Sequence, residues 1–152
     1  MVRSGRDQKM ARTTKVVADA SVVVKWYNRE EYSRDALKLR ADYASGVVDL
    51  AAPYLLVYEM ANALRYNPNF GAEDLKSAVK DLLDLGIDLM LLEEDQIKRI
   101  SDIAFKHGIT SYDAAYVAAA EAGDMLMYTA DEKLLRSVRG SRVRHIRDYG
   151  TV

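Results

Sequence analysis

Four acidic residues lie at positions from which folding could bring their side chains together. Asp19 and Asp131 each follow a short apolar run, Asp113 opens an alanine-rich stretch, and Glu59 lies within a helical one. Crowded carboxylates repel one another, and a divalent cation removes that repulsion. Oxygen ligands with little histidine favour Mg²⁺ or Mn²⁺, and one or two such ions can activate water against a phosphodiester. The acids therefore predict a metal site for hydrolytic phosphoryl chemistry.

Other common chemistries find no support in the sequence. The two histidines, His107 and His145, lack the spacing typical of zinc ligands. The chain contains no cysteine, which excludes disulfides, thiolate nucleophiles and cysteine-based zinc sites. Neither a phosphate-binding glycine loop nor a recognisable serine, histidine and aspartate arrangement occurs.

Each acid also has a simpler interpretation. Asp19 and Asp131 can be N-caps of the helices they precede, because their carboxylates accept backbone N–H groups that would otherwise lack partners. Asp113 follows Thr110 by three residues, as in a capping box, and Glu59 can be a solvated helix residue. Singly, these interpretations are the better ones. Delivery of all four acids to one place by separate elements favours a site.

The elements that must position these acids are strands alternating with helices, a pattern typical of a parallel sheet. The pattern predicts strands over residues 15–18, 47–51, 87–91, 125–128 and 143–146. It predicts helices over residues 21–45 with a break near 28, and over 54–66, 72–85, 95–106, 111–121 and 131–138. Glycines that follow helical runs are expected to adopt left-handed conformations; these are Gly46, Gly86, Gly108, Gly123 and Gly140.

In parallel sheets chemistry collects beyond the carboxyl ends of the strands, where Asp19 and Asp131 are expected to share one edge. On the helix that carries Glu59, a core stripe of Leu56, Met60, Ala63 and Leu64 would leave Glu59 and Asn62 on an adjoining face.

Length and charge set the remaining bounds. A chain of 152 residues, 49% of them hydrophobic, is one ordinary domain, expected over residues 15–150 after a mobile basic tail at 1–14. Its net charge of −1 provides no global positive field, so any contact with RNA must be local. Apolar runs are too short for a membrane span and the N-terminus lacks a secretion signal, so we expect a cytoplasmic protein without a membrane partner.

Four segments together resemble a known family. They read VVADASVVVKWY, YEMANALR, ITSYDAAYVAAAEA and LMYTADEKL, and they span roughly residues 15–146. Their succession is similar to the motifs of PIN-domain nucleases, and most of all to the VapC-type ribonuclease toxins of toxin–antitoxin pairs. The resemblance implies a three-layer α/β/α sandwich with a mostly parallel five-stranded sheet. It also implies Mg²⁺- or Mn²⁺-dependent cleavage of RNA, an antitoxin protein as partner, and a homodimer.

The resemblance also assigns residues. Asp19, Glu59 and Asp113 would be the principal metal ligands and catalytic acids, with Asp131 as the fourth. The hydroxyls of Ser21 and Thr129 would orient these carboxylates, and Asn62 would support Glu59 or contact substrate. Glu132, three residues after Thr129, is interpreted as a capping partner.

RNA binding leaves a weaker signal. Lys25, Arg29 and Arg65 are candidate phosphate contacts, and Trp26 or Tyr27 could stack on bases. The alternative is a solvated charged helix with the aromatic side chains in the core or at a dimer contact.

Three other functions remain open at this point. The first is an RNA-processing PIN nuclease without an antitoxin, and the second is a non-catalytic binding module with the same fold. The third is a phosphatase that uses Asp19 as a covalent nucleophile. Such a phosphatase is expected to have a second acid near Asp19, but the residue two positions after Asp19 is Ser21.

Overall fold

The computed structural model describes residues 13–139 and 142–150. Five strands form one sheet: β1 (Thr14–Ala18), β2 (Val48–Pro53), β3 (Asp88–Met90), β4 (Met127–Thr129) and β5 (Val143–His145). Their spatial order is β3-β2-β1-β4-β5, and every neighbouring pair is parallel. The predicted sheet is confirmed, and it is parallel throughout the described residues rather than mostly so.

Seven α-helices connect and cover these strands in the described part of the chain. They are α1 (Ala20–Val23), α2 (Ser33–Ala44), α3 (Leu55–Arg65), α4 (Ala72–Asp84), α5 (Glu94–His107), α6 (Ser111–Ala122) and α7 (Glu132–Ser137). Short 3₁₀ turns follow α1 at Val24–Trp26 and follow β5 at Ile146–Asp148. The expected break near residue 28 is confirmed, because α1 and its 3₁₀ turn end before α2 begins.

Consecutive burial shows that both faces of the sheet are covered. Val16, Val17 and Ala18 are all buried, as are Leu50 to Pro53 in β2. Successive side chains of a strand point to opposite faces, so such runs require a layer on each side. Helix α6 is buried over Ala114 to Ala120, as expected for an alanine-rich helix packed closely within the domain. The predicted α/β/α architecture is therefore correct.

Two details of the chain path differ from expectation. Gly46, Gly86 and Gly108 have positive φ as predicted, but Gly123 has φ −96° and the left-handed residue is its neighbour Asp124 at φ 53°. A Cβ on Gly123 would lie 2.5 Å from the Met125 side chain, so close packing rather than a left-handed turn explains this glycine. Gly140 lies outside the described residues.

The boundary of the predicted tail also changes. Thr14, placed in the tail, is the first residue of β1, where its Cα is in register with that of Val48. Residues 1–12, the rest of the expected tail, lie outside the described residues. Among the described helices, none has both the length and the apolar character needed to cross a membrane.

Candidate active site

Asp19 lies at the carboxyl end of the central strand β1 and caps helix α1. Its Oδ1 accepts a hydrogen bond from the backbone N–H of Val22 at 3.3 Å. The side chain is only 4% exposed. The capping interpretation is therefore correct for Asp19, but a carboxylate buried this deeply is unusual for a cap alone, since burial of a charge costs free energy.

Ser21 connects the carboxyl end of β1 to the carboxyl end of β4, its neighbour in the sheet. Its hydroxyl donates to Asp19 Oδ1 at 2.5 Å, and its Oγ accepts from the backbone N–H of Ala130 at 2.8 Å. The Oγ also lies 3.3 Å from Oγ1 of Thr129, which is completely buried at the end of β4. Ser21 and Thr129 thus bring the loops after β1 and β4 together, in the place where the resemblance assigned orienting hydroxyls.

Asp131 follows β4 and caps α7. Its Oδ1 accepts from the backbone N–H of Leu134 at 3.1 Å, while its own N–H donates to Thr129 Oγ1 at 3.1 Å. Because β1 and β4 are neighbours, Asp19 and Asp131 share one edge of the sheet, as predicted. The interpretation of Glu132 as a capping partner is wrong: its carboxylate pairs with Arg147 at 2.7 Å instead.

Asp113 enters the same region from the first turn of α6. Thr110 is the N-cap of that helix and its hydroxyl oxygen accepts from the Asp113 N–H at 3.0 Å. Thr110 therefore accounts for the capping part of the predicted pattern. The Asp113 carboxylate is half-buried and lies near enough to Asp19 and Glu59 to raise the pKa of both.

Glu59 is held on α3 by a residue of α6. The Tyr116 hydroxyl donates to Glu59 Oε1 at 2.6 Å, although the Tyr116 side chain is only 1% exposed. Leu56, Met60 and Leu64 form the buried stripe of α3 as expected. Ala63, predicted in that stripe, is exposed, and Val57 is buried in its place.

Tyr116 is the site residue that sequence analysis missed. Tyrosine in an alanine-rich helix reads as core, and its ring is indeed buried. The available signal was its spacing, because Tyr116 follows Asp113 by three residues and so lies on the same side of α6. Burial and the nearby acids raise the Tyr116 pKa, so its hydroxyl stays protonated and remains a donor.

The electrostatics show that these acids form one cluster. Burial, together with the charge of Asp113, raises the pKa of Asp19 to about 6, although hydrogen bonds from Ser21, Thr129 and Val22 work in the opposite direction. Burial and the same Asp113 charge raise the Glu59 pKa. The Asp113 pKa is raised by its own burial and by the charge of Asp131. Four carboxylates delivered by four elements therefore repel one another at one edge of the sheet.

The four acids provide the ligand atoms that a hard divalent cation prefers, but their side chains lie too far apart to ligate one ion together. All four side chains offer carboxylate oxygens, which Mg²⁺ and Mn²⁺ prefer, and their mutual repulsion is the cost that a cation removes. Within residues 13–139 and 142–150, however, no three acid or histidine side chains converge closely enough to ligate a single ion. The cluster has the charge of a metal site, and closure around an ion requires side-chain movement.

Two of the residues predicted to contact RNA, Lys25 and Trp26, are buried and have other partners. Lys25 is only 8% exposed and pairs with Glu30 at 2.8 Å, so it is not free to bind a phosphate. Trp26 is buried and donates to the Ala36 carbonyl, so its ring packs in the core rather than on a base.

Other residues predicted at the site or in RNA binding are exposed. Arg29 and Asn62 are exposed, and the Arg65 guanidinium lies 5.5 Å from the centre of the Tyr66 ring. The Tyr27 hydroxyl donates to Asp81, away from the acids.

Comparison with known sequences agrees with this arrangement. The sequence model of the PIN domain matches residues 16–140, which include all four acids. The chain belongs to the PIN domain family. Two similar relatives come from Pyrobaculum aerophilum. Ribonuclease VapC3 is 32% identical over 124 residues, covering 79% of this chain and 92% of the relative. Exonuclease VapC9 is 30% identical over 92 residues, covering 60% and 69%.

A solved structure supports the PIN fold independently. The VapBC2 proteins of Rickettsia felis, crystallised with a DNA fragment from their promoter, include a chain that superposes with a TM-score of 0.64. The match covers 87% of this chain and 98% of that one, at 11% sequence identity. At this identity the likeness establishes the fold alone.

Proposed function

We propose that this PIN domain is an endoribonuclease that hydrolyses RNA phosphodiester bonds with one or two Mg²⁺ or Mn²⁺ ions. The observation that carries the proposal is the cluster of acids at the carboxyl edge of the sheet, where burial of Asp19, together with the charge of Asp113, raises the pKa of Asp19 to about 6. A protein that keeps such a cluster gives up stability for it, and cation binding is the physical use of that charge. The relatives named as a ribonuclease and an exonuclease support nuclease activity in general.

Asp19, Glu59 and Asp113 would hold the ion, with Asp131 as a fourth ligand directly or through water. When bound, the ion supplies a water of lowered pKa and a positive charge beside the phosphate to be cleaved. The chain's own contribution is to fix the ligands. Ser21 holds one oxygen of Asp19, and Tyr116 holds one oxygen of Glu59. Such outer hydrogen bonds orient the ligands and limit the rearrangement that metal binding requires.

The alternative of an aspartyl phosphatase finds no structural support. A covalent nucleophile needs an accessible carboxylate oxygen, and Asp19 is buried with its Oδ1 accepting from Ser21 and Val22. A nuclease needs Asp19 only as a ligand, which a buried and oriented carboxylate can be.

The biological setting we propose is a toxin–antitoxin pair. Two relatives carry the name VapC and the Rickettsia felis assembly is a VapBC complex, which supports a small antitoxin protein as partner. Such a partner could block the acids by placing a basic side chain among them. Exposed apolar side chains on α5, Ile97 and Phe105, are compatible with the proposed homodimer. Sedimentation of the purified chain tests the dimer directly.

The test of the enzymatic proposal is cleavage of structured RNAs by the purified protein. We expect no cleavage in EDTA and recovery of cleavage when Mg²⁺ or Mn²⁺ is restored in excess. The same titration should raise the thermal midpoint of the protein, because an ion that binds only the folded state stabilises it. Cleavage that continues in EDTA would refute the metal mechanism.

A further inference from the structure

A cavity of about 480 Å³ lies between α7 and β5, and its lining begins at Glu132, the residue that follows Asp131. Its polar lining is dominated by guanidinium groups, and we call it the arginine pocket. Arg136, Arg139 and Arg147 line it together with Glu132, and the apolar side chains of Leu135, Val138 and Val143 complete the wall.

The arginine pocket carries a local positive charge, although the chain as a whole does not. Its lining contains three arginines and one acid, whereas the whole chain has a net charge of −1. Arg136 and Arg139 are exposed and form no ion pair with any described residue, so Glu132 compensates only part of the charge. Guanidinium groups present forked N–H donors that match phosphate oxygens, so this lining suits a phosphate.

Arg147 is held in place before any ligand arrives. Its Nη1 lies 2.7 Å from Glu132 Oε1, and its backbone N–H donates to Nδ1 of the fully buried His145 at 3.0 Å. The His145 Nε2 is buried 3.3 Å from the same Glu132 oxygen and has no hydrogen-bond partner among the described residues. A preorganised arginine loses less conformational entropy when it binds an anion.

The pocket lies within reach of a strand bound at the acids. Arg147 follows β5 as Asp131 follows the neighbouring β4, and His145 is in register with Thr129. Arg136 is five residues beyond Asp131 on α7, roughly 7.5 Å along the helix axis.

We propose that the arginine pocket binds a backbone phosphate of the RNA substrate, beside the cleaved linkage. This inference rests on the proposed ribonuclease function and names the site that would hold the substrate beside the acids. It accounts for RNA binding by a chain without a global positive field. The contact is to the backbone, so it positions the strand and carries no base specificity.

The experiment measures binding of a fluorescent single-stranded RNA to the full chain at several salt concentrations. Asp113→Asn serves as the background so that the RNA stays intact. The test protein adds Arg136→Ala and Arg139→Ala. The matched control instead adds Lys76→Ala and Lys80→Ala, which remove the same charge from exposed positions on α4, far along the sheet order from β5. Urea unfolding verifies that each protein is folded.

We expect the arginine variant to bind roughly tenfold more weakly than the background, and the slope of log affinity against log salt to flatten by about 0.7 per lost phosphate contact. The lysine control should retain both values. In otherwise unmutated protein, the arginine changes should raise KM for a long RNA while kcat stays nearly constant, since they remove uniform binding.

Equal affinity and slope in the arginine variant and its background would overturn the proposal. The same loss in the lysine control would also overturn it, because that loss would indicate only a general effect of charge. A pocket-dependent RNA slope in a protein that cleaves nothing would support this site and refute the proposed enzymatic function separately.

Discussion

The Tyr116 hydroxyl donates a 2.6 Å hydrogen bond to Glu59 Oε1 and so joins α6 to α3 across the acid cluster. The same helix carries Asp113, whose charge raises the pKa of Glu59. One helix therefore both repels the carboxylate of another and, through Tyr116, holds one of its oxygens by a hydrogen bond.

Replacing Tyr116 with phenylalanine should weaken Mg²⁺ binding while the fold remains. Loss of an outer hydrogen bond to a metal ligand typically costs about 10- to 100-fold in affinity or activity. The change in folding free energy should be near 1 kcal/mol, since the ring stays packed. Calorimetric titration with Mg²⁺ measures the first quantity and urea unfolding the second. Tyr128→Phe, which removes a hydroxyl on β4, is the control. Unchanged Mg²⁺ affinity in Tyr116→Phe would contradict the orienting role.

Removing the Ser21 hydroxyl should loosen the two loops that carry Asp19 and Asp131. Ser21→Ala takes one donor from Asp19 and one acceptor from the Ala130 N–H. We expect cleavage to fall by about 10- to 100-fold at subsaturating Mg²⁺, with partial recovery at high Mg²⁺. Ser21→Thr, which keeps a hydroxyl, should restore most activity. A rate equal to wild type in Ser21→Ala would show that the bridge is unimportant.

The stability of the metal-free protein should fall as pH rises through the range in which Asp19 ionises. The folded pKa of Asp19, about 6, exceeds its ordinary value of 3.8, so between these values the folded state binds more protons than the unfolded state. Unfolding free energy then decreases with rising pH, by up to roughly 3 kcal/mol from this group. Other carboxylates change stability over the same range, so the comparison is made with Asp19→Asn.

Urea unfolding in EDTA should show Asp19→Asn more stable than wild type at pH 8 and no longer so at pH 4. Mg²⁺ should restore the wild type at pH 8 and leave the variant unchanged. A wild type as stable as Asp19→Asn at pH 8 without metal would mean that the buried charge carries no cost.

Patterns along the sequence were sufficient to predict the strands and helices and to predict that Asp19 and Asp131 lie at the same edge of the sheet. Apolar runs indicate buried parallel strands, and the carboxyl ends of parallel strands all lie at one edge. Local patterns could not show that Arg147 would compete for Glu132, because that pair depends on how β5 lies beside α7. Nor could they show that Lys25 is buried beside Glu30 or that Tyr116 reaches Glu59. Such contacts are set by tertiary packing, which spacing along one element does not contain.

Gly123 is a further instance of this limit. A glycine after a helix predicts a left-handed turn, but the left-handed residue is Asp124, and Gly123 instead provides room for Met125. The same glycine serves either role, and only its neighbours in space decide between them.

The most direct test of the acid cluster is the rate of RNA cleavage by Asp113→Asn in saturating Mg²⁺. Asp113 is the acid whose charge acts on both Asp19 and Glu59, and asparagine keeps its shape while removing that charge. The control is Asp102→Asn, an exposed aspartate on α5. We predict that Asp113→Asn loses at least about 100-fold in cleavage rate while Asp102→Asn cleaves like wild type. Cleavage by Asp113→Asn at the wild-type rate would contradict the metal–carboxylate account.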